Sequence, residues 1–292
     1  MTKDERNTGN NSVRRPDIID RLPQSRIPWK RSKEEVWNSL KNNIDEQPEA
    51  RKISFGSYIL RLSAAAVILL LIGSAAFMRF YTRTVTSQSA EVINLELPRG
   101  SEVMLNAETI IKYNPLWWKF NRKIRMEGEA YFEVSKGNEF TVISESGTTT
   151  VLGTTFNIYS RKGDYEVSCY TGKVRVGSVN SGEEVILKPN QKASIDEEGY
   201  LAVNEEPPRS INQDWRSGYF KFTSMPVTRV FDEISRQFGF TIKGTENLNL
   251  IYTGNFSKDQ SIEEVMNLVC KAFGIDFVSE DENTYRIIVN AN

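Results

Sequence analysis

The sequence predicts a mainly β protein with added α+β structure: a single transmembrane helix, an all-β domain and a small domain of two β-α-β repeats. Three features predict this class: an uncharged run long enough to cross a bilayer, many short alternating runs between glycine-bearing turns, and an internal repeat. We expect the limits at residues 1–57, 58–81, 85–206 and 212–292. A chain of 292 residues is long enough for two compact domains beside the helix.

The transmembrane prediction depends on residues 62–78, which read LSAAAVILLLIGSAAFM and contain 17 residues without a charge. Apolar residues extend the run on both sides, and the flanking Arg61 and Arg79 can reach the bilayer surface with their long side chains. About sixty residues precede the run, which argues against a cleaved signal peptide. A buried helix of a soluble protein is the alternative, although such a helix normally keeps a polar face.

Basic residues near this helix are more numerous on its amino-terminal side. Lys41, Arg51, Lys52 and Arg61 lie on that side, and Arg79 and Arg83 lie on the other. Because cytoplasmic flanks carry more Lys and Arg, we expect a cytoplasmic amino terminus.

One short helix is predicted before the membrane segment. Residues 1–30 show no hydrophobic period and predict a tail without a fold. Ser32 and Glu35 then form a capping-box pattern, and Pro48 ends the helical run. The apolar residues on one helix face are Val36, Trp37, Leu40 and Ile44. Such a stripe needs a partner, or the segment is a spacer beside the membrane.

Short alternating runs in residues 91–196 predict the all-β domain. Ile93, Leu95 and Leu97 share one face of a first strand, the turn PRGS follows, and runs such as AYFEV, TFNIY and KVRV continue the pattern. This spacing is typical of a β sandwich or a rolled sheet.

Two similar segments predict the last domain. Residues 227–242 align without gaps on residues 262–277, an offset of 35. Each has apolar residues at helical spacing, then a glycine, then a strand pattern. The expected cap residues are Ser224, Ser261 with Glu264, Gly239 and Gly274. We expect both helices on one face of a single small sheet.

Composition excludes several function classes. The net charge of -1 gives no basic surplus for direct nucleic-acid binding. The chain has no histidine, which excludes Ser-His-Asp and Cys-His catalysis and every His-ligated metal site. Cys169 and Cys270 fit no CxxC spacing and suit buried positions, with a disulfide between them as the alternative in an oxidising compartment. We therefore expect no enzyme, no metal and no cofactor.

The motifs NLELPRGSEVMLN, RMEGEAYFEV, VLGTTFNIY, YTGKVRV and LKPNQKA follow one another along the chain. In order and spacing they resemble the FecR family of cell-surface-signalling regulators. The last domain resembles the extra module of the Bacteroidetes branch, which is similar to the signalling domains of secretins and TonB-dependent transducers. The resemblance implies an inner-membrane anti-sigma factor with periplasmic domains. Such a protein controls an extracytoplasmic-function sigma factor in response to a TonB-dependent outer-membrane transducer.

Two departures from the family pattern accompany this resemblance. The turn that usually carries an aspartate in a PDGS-like sequence has Arg99 here, so the hydrogen bonds of that carboxylate to the turn amides are lost, whereas Gly100 is kept. The segment before the membrane is also shorter than the helical cytoplasmic domain of relatives with anti-sigma activity.

The resemblance and the apolar patterns together suggest two binding sites. Trp29, Val36, Trp37 and Leu40 are the expected sigma-factor contacts. For the transducer we expect pairing with an exposed edge strand, either residues 218–222 or residues 285–289, the latter with Tyr285, Ile287 and Val289. The alternative for the last strand is a central position, paired on both sides.

Another hypothesis concerns the Gly153-Thr154 bond, because some relatives cleave themselves at a Gly-Thr bond in this motif. The Thr154 hydroxyl would attack the Gly153 carbonyl, and water or a carboxylate would have to act as the base. The alternative is a strand glycine at a bulge. Comparing the full-length band of the parent with that of Thr154→Ala tests it.

The competing function is that of a membrane-anchored envelope enzyme, glycan-binding protein or structural protein. It would need a cleft with paired carboxylates, and Glu127, Glu129 and Glu133 lie close in sequence. Glu127 and Glu129, however, flank a glycine and alternate with apolar residues, which instead predicts solvent-facing strand positions. Trp117 and Trp118 could stack on a sugar, but such a pair more often closes one end of a β core.

Overall fold

A computed structural model of the protein describes residues 30–45, 55–196, 198–205 and 214–289. The contacts divide the chain into two units, Met1–Ala65 and Ala66–Asn292. The predicted fold class is confirmed: the structure is mainly β, with helices and one candidate membrane span. The predicted tail lies outside the described residues except for Lys30.

Two helices come first in the chain. Helix α1 spans Lys33–Asp45, and helix α2 spans Phe55–Phe80. Both hydrogen bonds of the predicted capping box are present, from Ser32 N to Glu35 Oε2 at 3.0 Å and from Glu35 N to Ser32 Oγ at 3.2 Å. Among the described helices, α2 alone is long and apolar enough to cross a membrane, over Tyr58–Phe80.

Thirteen strands then form one sheet, in residues 83–205, which we call the β domain. The strands are β1 (Arg83–Thr86), β2 (Ile93–Leu97), β3 (Ser101–Leu105), β4 (Ile110–Tyr113), β5 (Arg122–Glu133), β6 (Phe140–Ile143), β7 (Gly147–Val151), β8 (Thr155–Arg161), β9 (Asp164–Thr171), β10 (Val174–Ser178), β11 (Glu184–Leu187), β12 (Gln191–Ile195) and β13 (Leu201–Glu205). The main order is β11-β10-β7-β6-β5-β8-β9-β12-β13, with β4 and β3 also paired to β5.

Strand β5 organises this sheet because its two halves have different partners. The half before Gly128 pairs with β4 and β6, and the half from Gly128 onward pairs with β3 and β8. Gly128 has φ 117, and a Cβ there would lie 2.5 Å from Thr109 Oγ1. The glycine of the GEAYFEV motif is therefore required where the strand changes partners.

Alternating side chains of these strands enclose one apolar core. Trp118 is buried at 1% exposure, with its ring edge-on to Tyr113 and Phe140, and Phe132 stacks on Phe156 at 4.9 Å. Cys169 is buried in the same core as a free thiol, and Cys270 is buried and free in the second core. Both cysteines are core residues, as predicted.

Residues 214–289, which we call the carboxy-terminal domain, contain the second core. Its elements are β14 (Tyr219–Pro226), α3 (Val227–Phe238), β15 (Thr241–Lys243), β16 (Ile251–Ser257), α4 (Ile262–Lys271), β17 (Asp276–Asp281) and β18 (Thr284–Ile288). The repeated helix-strand pattern is present, but its strands form two sheets, β14-β16 and β15-β18-β17. The expectation of a single sheet was wrong, because β14 pairs antiparallel with β16 rather than with β15.

The predicted helix caps differ in outcome. Ser261 and Glu264 form a complete capping box at α4, and Gly239 ends α3 in the left-handed conformation. Gly274, at φ 65, lies in the turn after α4. Ser224 does not cap α3: it has φ 50 at an irregularity of β14, and its N–H donates to Thr253 Oγ1.

Candidate functional site

Helix α1 presents the predicted apolar stripe on its surface. Trp37 is 69% exposed and Leu40 is 49% exposed, and Val36 and Ile44 are also exposed. The remaining sigma-factor candidate, Trp29, lies outside the described residues. The stripe is thus an apolar surface of the kind that binds a partner helix or groove.

At its carboxyl end, α2 is held by the β domain. Asn114 Nδ2 donates to the carbonyls of Met78 at 2.8 Å and Arg79 at 3.0 Å, two acceptors that the helix itself leaves free. The Arg79 guanidinium lies 5.9 Å from the centre of the Trp117 ring. A displacement of the β domain would therefore act directly on the end of the candidate membrane helix.

Helix α3 has two buried faces. Its apolar face packs in the carboxy-terminal core through Val227, Val230, Phe231 and Ile234. Its polar face is also buried and contacts the β domain, since Gln237 Nε2 donates to Asn106 Oδ1 at 2.7 Å and Ala90 N donates to the Arg236 carbonyl at 2.7 Å. Sequence periodicity marks only the apolar face of α3 as buried, so it does not predict this docking surface.

Two carboxyls in this contact have opposite pKa shifts. Glu129 on β5 accepts hydrogen bonds from Asn106 and Asn157, and burial followed by the nearby Glu233 charge raises the pKa of Glu129. Burial acts to raise the pKa of Glu233 as well, but the charges of Arg236 and Arg161 outweigh it, so that pKa is lowered. The same buried contact thus contains one carboxyl that is easy to protonate and one that is hard to protonate.

A second group of charges joins the two domains at the side of this contact. Arg229 on α3 bonds Glu166 Oε1 of β9 at 2.9 Å, and its guanidinium lies 4.6 Å from the centre of the Tyr159 ring. Lys192 also pairs with Glu166. Burial acts to raise the pKa of Glu166, but Lys192 and Arg229 outweigh it and lower that pKa. Lys162 pairs with Asp232 at 2.7 Å nearby.

The three glutamates of the competing function do not converge on a cleft. Glu127 and Glu133 are exposed strand positions, but Glu129 is half-buried under α3, so its prediction as a solvent-facing residue was wrong. The physical reason is that the polar face of α3 packs over Glu129. The alternation of polar and apolar residues around Glu129 does not indicate this contact. Glu127 lines a cavity of about 520 Å³ in which Glu145, rather than Glu129 or Glu133, is the other carboxylate.

The predicted transducer strand is in the interior of its sheet. β18 lies between β15 and β17, which contradicts its prediction as an exposed edge and agrees with the alternative. Tyr285 and Ile287 are buried in the carboxy-terminal core, and Val289 is exposed beyond the strand. The other predicted edge strand, β14, pairs with β16 alone among the described strands, and its residues 219–222 line a pocket together with Glu129 and Glu166 of the β domain.

Gly153 and Thr154 lie in the turn before β8. Gly153 has φ 157, and a Cβ there would lie 2.8 Å from the Lys136 Cα. The Thr154 hydroxyl is buried and donates to the Lys173 carbonyl at 3.1 Å. Self-cleavage at this bond stays a prediction, and the glycine itself is explained by close packing.

Two family models match this chain. The model described as "FecR protein" matches residues 83–175, and the one described as "FecR, C-terminal" matches residues 219–288. Together they match more than half of the sequence. The chain belongs to the FecR family. The first model ends in β10, and the second covers both helices of the carboxy-terminal domain.

Solved structures share the fold of this FecR-family protein. Two crystal structures of a candidate anti-sigma factor from Parabacteroides distasonis ATCC 8503, at 2.50 and 1.65 Å resolution, have TM-scores of 0.65 and 0.64. Each is 24% identical to this chain and covers 72% of it, with 100% of the solved chain matched. None of the curated proteins that were compared matches the chain.

The structure of the PRGS turn fits the family departure at Arg99. Arg99 and Gly100 both have φ 72, and the flanking Leu97 and Ser101 remain paired between β2 and β3. The Ser135 hydroxyl donates to the Gly100 carbonyl. The turn therefore joins β2 to β3 with Arg99 and Gly100 in the left-handed conformation.

Proposed function

We propose that this FecR-family protein is a single-pass inner-membrane regulator of an extracytoplasmic-function sigma factor. The observation that carries the proposal is the exposed apolar stripe of α1, which precedes a helix suited to span a membrane. Family membership and the anti-sigma description given to the similar crystal structures support it. The excess of basic residues before α2 supports a cytoplasmic position for α1, with the β domain in the periplasm.

The second part of the proposal is a TonB-dependent outer-membrane transducer as the periplasmic partner, as in the Bacteroidetes branch of the family. The carboxy-terminal domain is the proposed contact, with the unpaired edge of β14 as the proposed strand for main-chain pairing. Contacts that run through β5 and its partner β4 support transmission from this domain to the end of α2. The polar face of α3 contacts Asn106 and lies near Glu129 of β5, and Asn114 holds the end of α2.

The α1 proposal is tested by replacing one aromatic side chain. Trp37→Ala should release the sigma factor, because truncating a central tryptophan in an interface typically costs at least about 2 kcal/mol, or about thirtyfold in affinity. Co-purification of the sigma factor with the membrane fraction and the activity of its target promoter measure the effect.

The matched control is Asn42→Ala, which alters an exposed residue on the other face of α1. It should leave promoter repression at the parent level. Full repression by Trp37→Ala at equal protein level would show that this face is not the binding site.

A further inference from the structure

The segment of residues 114–121, which we call the aromatic loop, connects β4 to β5 at the end of α2. The side chain of Asn114 binds both the backbone of this loop and the end of α2. Its Oδ1 accepts from Leu116 N and Trp117 N, both at 2.9 Å, while its Nδ2 donates to the last carbonyls of α2. The position of the loop relative to the helix end is therefore set by one side chain.

The two adjacent tryptophans of the loop have different environments. Trp118 is a core residue of the β domain, whereas Trp117 is half-buried outside that core and packs on Phe120 at 4.8 Å between ring centres. Phe120 is 69% exposed, and Leu116 is 41% exposed. Leu116 and Phe120 thus form an exposed apolar surface, and the half-buried Trp117 lies beside them.

The same surface continues into the end of α2. The Arg79 guanidinium lies 5.7 Å from the centre of the Phe80 ring and 5.9 Å from that of the Trp117 ring. Phe80 ends the candidate span, and it and Tyr81 are exposed. If α2 crosses a bilayer, Phe80 lies where hydrocarbon meets headgroups, and the loop is held at that depth. Tryptophan and other amphipathic rings are enriched at this boundary.

We propose that the aromatic loop is a second membrane contact of this protein, in which Leu116, Trp117 and Phe120 enter the bilayer interface beside α2. Lys119, exposed between them, extends toward the lipid phosphates. The contact fixes how the β domain stands on the membrane surface, in addition to the hydrogen bonds of Asn114 that hold the domain to the end of α2. It rests on α2 crossing the bilayer and is independent of the sigma factor.

Site-directed fluorescence on the full chain tests this proposal. The variants Phe120→Cys and Leu116→Cys are each labelled with an environment-sensitive dye and reconstituted in vesicles with and without brominated lipids. Leu70→Cys in the middle of α2 serves as the membrane reference, and Lys271→Cys, exposed on α4, serves as the aqueous reference. Unmodified protein gives the labelling background, which should be low because Cys169 and Cys270 are buried.

The labels at Phe120 and Leu116 should show blue-shifted emission and should lose intensity with brominated lipids, as the label at Leu70 does. The label at Lys271 should do neither. Quenching at Leu70 without quenching at Phe120 and Leu116 would overturn the membrane contact and leave the span intact. Absence of quenching at all four positions would overturn both the membrane contact of the loop and the membrane span of α2.

Discussion

At the scale of single residues, the contact between the two domains buries two carboxyl groups that have different hydrogen-bond partners. Glu129 accepts only from amides, Asn106 and Asn157, whereas Glu233 is held by Arg236 and Gln237. Because the pKa of Glu129 is raised, ionising it costs stability as the pH rises from the ordinary glutamate value through the raised one. The contribution of Glu233 to stability has the opposite sign, because its lowered pKa means that the ionised form favours the folded state at neutral pH.

The ion pair between Glu166 and Arg229 gives a prediction with a defined pH dependence. Glu166→Gln should lower the free energy of unfolding by about 1–2 kcal/mol near pH 7, because the partly buried Arg229 and Lys192 lose their charged partner. The pKa of Glu166 is lowered in the folded protein, so its contribution is present above the unfolded value of about 4.3 and is lost as the pH falls through the folded value.

Denaturation of the full chain in non-ionic detergent measures this difference. The gap between parent and Glu166→Gln should close as the pH is lowered toward about 3. Glu184→Gln is the control, because Glu184 is exposed and has no ion pair among the described residues. A gap that is constant over the whole pH range would contradict the electrostatic origin.

At the scale of elements, sequence reasoning succeeded where a local pattern decides the structure. An uncharged run predicts α2, alternation predicts the strands of the β domain, and capping-box residues predict where α1 and α4 begin. Sequence reasoning failed where the structure of an element depends on pairing with another element that is distant in the sequence. The apolar run of β18 fits an edge strand and a central strand equally, and only its pairing with β15 and β17 shows that it is central.

In the candidate site, too, features set by a local sequence pattern were predicted, and features set by distant contacts were not. The apolar stripe of α1 is a local pattern and was predicted by its spacing. The docking of α3 was not predicted, because Glu233, Arg236 and Gln237 have the composition of a solvated helix face. They are buried by residues far earlier in the chain, such as Asn106, which lies 131 positions before Gln237. No short-range pattern of the sequence contains this contact.

The two serines predicted to cap helices of the carboxy-terminal domain make a matched pair for a test. Ser261 accepts from Glu264 N at 3.2 Å, so Ser261→Ala should lower the free energy of unfolding by about 1 kcal/mol. Ser224 caps nothing, and Ser224→Ala should change it by less than about 0.5 kcal/mol. Denaturant titration of the full chain in detergent measures both. Equal losses from the two substitutions would contradict the assignment of the caps.

At the scale of the whole molecule, two separate apolar cores meet through polar side chains. No residue of the carboxy-terminal domain belongs to the core of the β domain. The described contacts between the domains include Gln237 with Asn106, Trp215 with Asn157, and Arg229 with Glu166. Polar contacts of this kind resemble transient interfaces, whose partners can separate without exposing a core. The carboxy-terminal domain is therefore suited to respond to a partner while the β domain stays folded.

Removal of residues 214–292 tests the place of this domain in the proposed relay. The shortened protein should insert into the membrane and keep its β domain folded, because the surface that it exposes, with Asn106, Glu129 and Asn157, is polar and compatible with water. It should still retain the sigma factor through α1, but the target promoter should no longer respond to the outer-membrane transducer. Membrane fractionation, protease resistance of the β domain and promoter activity measure the three properties. A second chain in which an unrelated folded domain replaces these residues controls for the lost bulk, and a normal response from either chain would exclude the carboxy-terminal domain as the transducer contact.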